Sequence, residues 1–180
     1  MKFTKTEIEG LYLIKPKILG DSRGKFVKIF HAETFDKHHL SYNFKESYYS
    51  TSQKNVLRGM HFQTPPHDHE KMVYVTNGAI LDVVVDIRKN SPTYGNYVSQ
   101  NLSAENGYAF YIPKGCAHGF LSLEDNTNVT YMQTSMYSPN NDGGINPQSF
   151  GFDWGIETPI TSDRDLTFPD FVDFDTPFIG

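Results

Sequence analysis

Cysteine is almost absent from this 180-residue chain, with Cys116 standing alone. An intrachain disulfide and a four-cysteine zinc site are thereby excluded, and a reducing compartment, the cytoplasm, is the expected setting. The opening MKFTKTEIEG has no apolar run of the signal-peptide kind, and no window approaches the ~18 apolar residues of a membrane helix, so no membrane association is expected. A basic surplus is missing too. The 16 Lys and Arg are outnumbered by 21 Asp and Glu, for a net charge of −5, and they are scattered rather than gathered in a stripe. Nothing here can track a phosphate backbone, so nucleic acid is not an expected partner, whereas a small charged ligand is still allowed. No long helical period, repeat, linker or low-complexity tract occurs, and the length suits one domain spanning 1–180.

Aromatics, by contrast, are plentiful, with 14 Phe and 11 Tyr, and β-branched residues fall in short runs broken by Gly, Pro, Asn and Asp. That pattern predicts an all-β sandwich or barrel. Strands are expected at 11–15, 26–31, 45–52, 56–63, 71–75, 79–88, 97–102, 108–112 and 128–137, a short helix at 33–39, and an irregular tail after Ser138 that wraps the core. In 79–88, Leu81, Val83, Val85 and Ile87 alternate with Asp82, Val84, Asp86 and Arg88, which reads as a half-buried strand whose outer face carries a charge network. Cys116 reads as a small packed residue rather than a nucleophile.

Three histidines, His61, His67 and His69, fall within nine residues. Farther on, Gly107, Pro113, Gly115 and His118 keep the G-x5-P-x-G-x2-H spacing of the second cupin motif, in which a hairpin returns a strand carrying His118 into the barrel. The first cupin motif is broken. His67-x-His69 resembles its start, but Val73 and Tyr74 stand where a metal-binding Glu belongs, and Pro65 and Pro66 put both histidines on a loop. Three histidines can still hold zinc or iron, so a metal-dependent cupin isomerase or oxygenase using His67, His69 and His118 is the alternative reading. His61 lies within a strand, where a period of two turns Gly59 and His61 to one side and Arg58 and Met60 to the other. On 128–137, Tyr131, Gln133, Ser135 and Tyr137 share a face suited to a cavity wall or to the solvent side of a sheet.

Taken together, the sequence resembles the dTDP-4-dehydrorhamnose 3,5-epimerase family. The matching blocks are Asp21-Ser-Arg23-Gly24-Lys-Phe26, Val56-Leu-Arg58-Gly-Met-His61-Phe-Gln63, Pro65-Pro66, Lys71, Asp82-Val-Val-Val-Asp86-Ile-Arg88, Ser91-Pro92-Thr93-Tyr-Gly95, Ile112-Pro113-Lys-Gly115-Cys-Ala-His118, Tyr131, Tyr137-Ser-Pro139 and Ser162-Asp-Arg-Asp165. The resemblance implies an all-β cupin fold, a double-stranded β-helix or jelly-roll barrel with a few short helices. It implies an enzyme, an isomerase that inverts C3, C5 or both of a nucleotide-diphosphate-linked 4-keto-6-deoxy sugar through an enolate, for deoxysugar or surface-polysaccharide biosynthesis. His61 would be the base with Asp165 as its partner, although nearby Asp163 could take that place. Tyr131 would be the acid, and Lys71 would stabilise the enolate. Arg23, Phe26, Lys28, Glu46, Tyr48, Arg58, Gln63, His69, His118 and Tyr137 would contact the substrate, Arg23 across the interface of a homodimer. Neither cofactor nor metal is implied.

Several nucleotide-side positions depart from the family pattern: Lys28 replaces a Glu, Glu46 and Tyr48 replace the Gln and Asn of a Gln-x-Asn, and His69 replaces a Gln. The nucleotide therefore stays open among dTDP, CDP, GDP and UDP. The chemistry suits the residues. Protons at C3 and C5 flank a ketone at C4, so a base near neutrality, a cation for the charge growing on O4 and a donor on the other face are what inversion requires.

Overall fold

Alternation of apolar and polar residues is what turns this chain into two facing sheets. The computed structural model describes residues 1–180. Its strands are β1 (Lys2–Lys5), β2 (Tyr12–Lys15), β3 (Ile18–Asp21), β4 (Gly24–Val27), β5 (Glu46–Ser52), β6 (Leu57–Gln63), β7 (Lys71–Asn77), β8 (Ala79–Asp86), β9 (Tyr97–Ser103), β10 (Ala109–Ile112), β11 (Cys116–Ser122), β12 (Thr127–Gln133) and β13 (Asp142–Gly144). Helix α1 (Ala32–Lys37) follows β4, and the short α2 (Asp163–Leu166) lies in the tail. One antiparallel sheet runs β1-β2-β10-β7-β12-β5, the other β13-β6-β11-β8-β9. This is the cupin jelly roll that the resemblance implied.

Along β12 the alternation is complete: Thr127, Val129, Tyr131 and Gln133 are buried while the residues between them are half-buried. Between the sheets, Leu13, Val73, Val75, Ile80, Val84, Leu102, Phe110, Phe120 and Val129 pack one end of the barrel shut. The other end stays polar. A second cluster lies behind the smaller sheet, where Ile145, Phe150, Trp154 and Phe178 of the tail cover Met60, Phe62, Val83, Val85 and Ile87. The tail is therefore a second wall, and this corrects one expectation. Strand β8 is not half-buried, because its Val83 face is covered by the tail and its Asp82 face points into the barrel. Asp86 does form the expected network with Arg88, at 2.8 Å, together with Ser91 and Thr93. Asp82 is separate from it.

Other boundaries moved for identifiable reasons. The expected strand at 26–31 ends at Val27, after which Ile29 and Phe30 turn inward to pack with Phe35 of α1. The expected strand at 128–137 ends at Gln133, because Ser135 Oγ donates to the His67 carbonyl and Tyr137 N–H to Glu46, bonds that draw the chain off the ladder. At the hairpin between β10 and β11, Gly115 adopts φ +73°, a left-handed conformation that side chains resist.

Candidate active site

The open end of the barrel holds a cavity of about 370 Å³ lined from both sheets. Strand β6 supplies two of its residues by an irregularity. His61 pairs with His118 and Arg58 with Phe120, so three steps on β6 are set against two on β11, and the extra residue is a β-bulge. The bulge corrects the strict alternation expected for this stretch: Arg58 and His61 both face the cavity. Gly59 makes it feasible. Its φ is +128°, and a Cβ there would stand 2.5 Å from the Gly119 Cα and 2.9 Å from the His118 carbonyl oxygen.

Asp165 reaches His61 from the tail. Ser162 caps α2 by accepting the Asp165 N–H at 3.1 Å, which fixes the turn that buries the carboxylate. One carboxylate oxygen lies 2.8 Å from His61 Nε2 and the other accepts the Gly59 N–H at 3.1 Å. Burial alone would raise this carboxyl, but the hydrogen bonds and charge from His61, Gly59 and Ser162 hold it below its ordinary value. Asp163, exposed at the start of the same helix, makes no ion pair.

Lys71 opens β7 beside the same cavity and is only 7% exposed. Burial brings its ammonium down to about 8, although Asp82 and Asp142 pull the other way. His118 and Asp82 form a buried pair, Nε2 lying 2.9 and 3.1 Å from the carboxylate oxygens. Burial pushes Asp82 up and His118 down, toward their neutral forms, each opposed by the other. Tyr131, 7% exposed, has its hydroxyl 3.4 Å from Ser50 Oγ, and burial raises its phenol further above the ordinary value. Cys116 is buried, and its thiol is pushed up to about 12, so it is no nucleophile.

The mouth is polar. Gln133 Nε2 donates to the Tyr48 hydroxyl at 2.6 Å, Glu46 accepts the Tyr137 N–H at 2.6 Å, and Gln63 Nε2 donates to the His67 carbonyl at 2.8 Å. Burial and the charge on Lys71 bring His69 down to about 3, so it faces Gln63 as a neutral ring. Arg58 is steadied by Ser52 at 3.0 Å. Thus His61, Lys71, Tyr131, Arg58, His118, Gln63, His69, Glu46, Tyr48 and Tyr137 are gathered around one cavity. Arg23, Phe26 and Lys28 are not. They belong to the β3–β4 hairpin and the residue after it, exposed and apart from the cavity lining, with Arg23 paired to Asp21. Sequence reasoning missed Ser50, Asp142 and Arg164. Arg164 lay within the quoted Ser162–Asp165 block, but Asp142, 2.6 Å from it, sits in an aperiodic stretch that offers no signal.

The family profile described as dTDP-4-dehydrorhamnose 3,5-epimerase matches residues 5–173. The chain belongs to this family. A dTDP-4-dehydrorhamnose 3,5-epimerase of Shigella flexneri is 39% identical over 97% of this chain and 98% of its own length. Among solved structures, a dTDP-6-deoxy-D-glucose-3,5-epimerase of Legionella pneumophila, in complex with dTDP-4-keto-L-rhamnose, is 36% identical with a TM-score of 0.91, covering 97% of this chain and 94% of that one. A 3'-monoepimerase of Streptomyces bikiniensis, in complex with dTDP-quinovose, is 32% identical with a TM-score of 0.89, covering 93% and 86%. Like its relatives in this epimerase family, the chain is an isomerase acting on a nucleotide-linked deoxysugar.

Membership in the epimerase family disfavours the metal-dependent alternative, and the three histidines it needs are not assembled. His67 is exposed on its loop, His69 faces Gln63 and His118 faces Asp82. No group of three or more His, Cys, Asp or Glu side chains is placed to hold an ion. No helix is long and apolar enough to cross a membrane.

Proposed function

We propose that His61, Asp165, Lys71 and Tyr131 carry out the epimerisation, on a 4-keto-6-deoxy sugar linked to a nucleoside diphosphate, with dTDP the nucleotide that the relatives support. The observation that carries this is the 2.8 Å contact of His61 with a buried carboxylate, on a cavity that also presents a buried ammonium and a buried phenol. Asp165 holds the imidazole proton on Nε2, so Nδ1 keeps the lone pair that takes a proton from carbon. As that C–H bond breaks, its electrons move into the bond to C4 and charge grows on O4. The Lys71 ammonium meets it in a site shielded from water, where removal of such a group costs about 10²–10³ in kcat. Tyr131 then returns a proton to the opposite face of the enolate, and the cycle closes when the imidazolium releases its proton to solvent and the phenolate takes one back from solvent.

Substrate contacts follow from the lining. Arg58 and Arg164 are the cations available to the diphosphate beyond Lys71, with His118 and Gln63 toward the sugar and Tyr137, Tyr48, Glu46 and His69 around the mouth. A homodimer is part of the proposal. The β3–β4 hairpin stands as its own two-stranded sheet, with Phe26 59% exposed, and such a hairpin is marginal without a partner. A second copy would cover it and bring Arg23, Phe26 and Lys28 to the neighbouring cavity. The single buried Cys116 supports a cytoplasmic setting. The test is incubation of purified protein with dTDP-, CDP-, GDP- and UDP-linked 4-keto-6-deoxy sugars, followed by NMR of the products. Inversion at C3, C5 or both with the dTDP sugar is expected, and no turnover of any of the four overturns the proposal.

A further inference from the structure

Tyr131 does not stand alone on the cavity wall. The antiparallel register of β5 and β12 sets Tyr48 directly opposite it, and the two rings stack with centroids 4.8 Å apart and planes 20° from parallel. Each hydroxyl is met by the other strand. Gln133, two residues past Tyr131 on the same face, donates to the Tyr48 hydroxyl, and Ser50, two residues past Tyr48, lies beside the Tyr131 hydroxyl. Tyr48 is 41% exposed where Tyr131 is 7% exposed, so the outer ring covers the inner one. On its other side Tyr131 meets the His118 ring only at an angle of 73° and 6.3 Å between centroids. A tyrosine has two soft side-chain torsions, and here the stacked ring restricts them from the cavity mouth while the barrel core packs against Tyr131 from within.

We propose that Tyr48 is a positioning residue, holding the Tyr131 phenol where it returns the proton and thereby setting how often, and at which carbon, abstraction ends in inversion. The proposal rests on Tyr131 being the proton donor, as argued above. An enolate is flat and its two reacting carbons lie on either side of C4, so a phenol fixed in one place serves them unequally. Abstraction by His61 does not pass through Tyr48. Losing the stack therefore separates two events that the intact site couples: exchange of the carbon-bound hydrogen with solvent, and its replacement on the other face.

The experiment follows both events in D₂O for the wild type, Tyr48→Phe and Tyr48→Asn. Tyr48→Asn removes the ring. Its ratio of inverted product to deuterium incorporated should fall about tenfold, equivalent to about 1.4 kcal/mol. Tyr48→Phe keeps the stacked ring and loses only the Gln133 bond, so its ratio should stay within about threefold of wild type. The ratio is internal to each enzyme, so weaker substrate binding does not move it. An unchanged ratio in Tyr48→Asn overturns the proposal, and so does a parallel loss of exchange and inversion. A crystal structure of Tyr48→Asn provides a readout independent of turnover. The Tyr131 ring should be displaced or spread over rotamers, and a ring unmoved overturns the proposal. A wild-type enzyme that exchanges no deuterium refutes the donor reading instead, while the crystal comparison still decides whether Tyr48 holds Tyr131.

Discussion

Replacing Lys71 by Met should make the protein more stable and the enzyme almost inactive. Lys71 is 7% exposed, and burial lowers its ammonium from the ordinary 10.5 to about 8. Each tenfold change in proton affinity corresponds to about 1.4 kcal/mol, so keeping this proton at neutral pH costs the fold on the order of 3 kcal/mol. Methionine matches the length of the side chain and carries no charge to desolvate. The attraction of Asp82 and Asp142 is already contained in that figure, and part of the gain is offset because a thioether packs less well than the ammonium against a polar lining. A net gain of about 1–2 kcal/mol is expected at pH 7, raising Tm by roughly 3–6 °C for a chain of this size. The pH dependence fixes the sign. Between about 8 and 10.5 the unfolded chain holds the lysine proton and the folded chain does not, so wild-type stability rises relative to the variant across that window. The gap between the two should therefore narrow from pH 7 to pH 10 in urea or thermal unfolding, while kcat falls about 10²–10³ at pH 7 and this deficit shrinks above pH 8, where the wild type loses the same ammonium. A Lys71→Met protein less stable than wild type at pH 7, or a gap that widens toward pH 10, refutes the reasoning.

Asp165→Asn keeps the shape of the His61 partner but not its charge, so kcat should fall on the order of 10³–10⁴ with substrate binding nearly intact, as steady-state kinetics will show. Because this carboxyl lies below its ordinary 3.8, its stabilising contribution is present above that value and is lost as pH falls through the folded pKa. The urea midpoints of wild type and Asp165→Asn should therefore differ at pH 6 and converge well below pH 3.8. Gly59→Ala should destabilise by more than about 3 kcal/mol, since the added Cβ meets strand β11 backbone in a left-handed conformation. A urea midpoint close to wild type would show that the bulge tolerates a side chain.

The legible parts of this molecule are those with a period. Nine strands could be placed from β-branched and aromatic runs set between turn residues, with alternation added at 79–88 and 128–137, and β12 showed its cavity face through Tyr131 and Gln133 alone. Strands β1 and β3 went unseen because their residues are mostly exposed and carry no apolar face to read. The site was legible where chemistry concentrates in a short block, as at Arg58 to Gln63, yet the bulge that turns Arg58 and His61 to the same side depends on pairing with Gly119 and Phe120, sixty residues away in the chain. For the same reason Asp82 read as surface charge. Only the tail packed behind β8 makes the Val83 face a core and sends the aspartate inward to His118. Asp142 and its bond to Arg164 join two irregular segments, and no local pattern announces such a meeting.

Hydrogen exchange at carbon reports most directly on the central claim, that an imidazole removes the proton and a phenol across the cavity restores it. With the keto sugar in D₂O, followed by NMR, His61→Ala should incorporate no deuterium at C3 or C5, and Tyr131→Phe should incorporate it without inverting the centre. Near-normal incorporation by His61→Ala, or full inversion by Tyr131→Phe, would contradict the account.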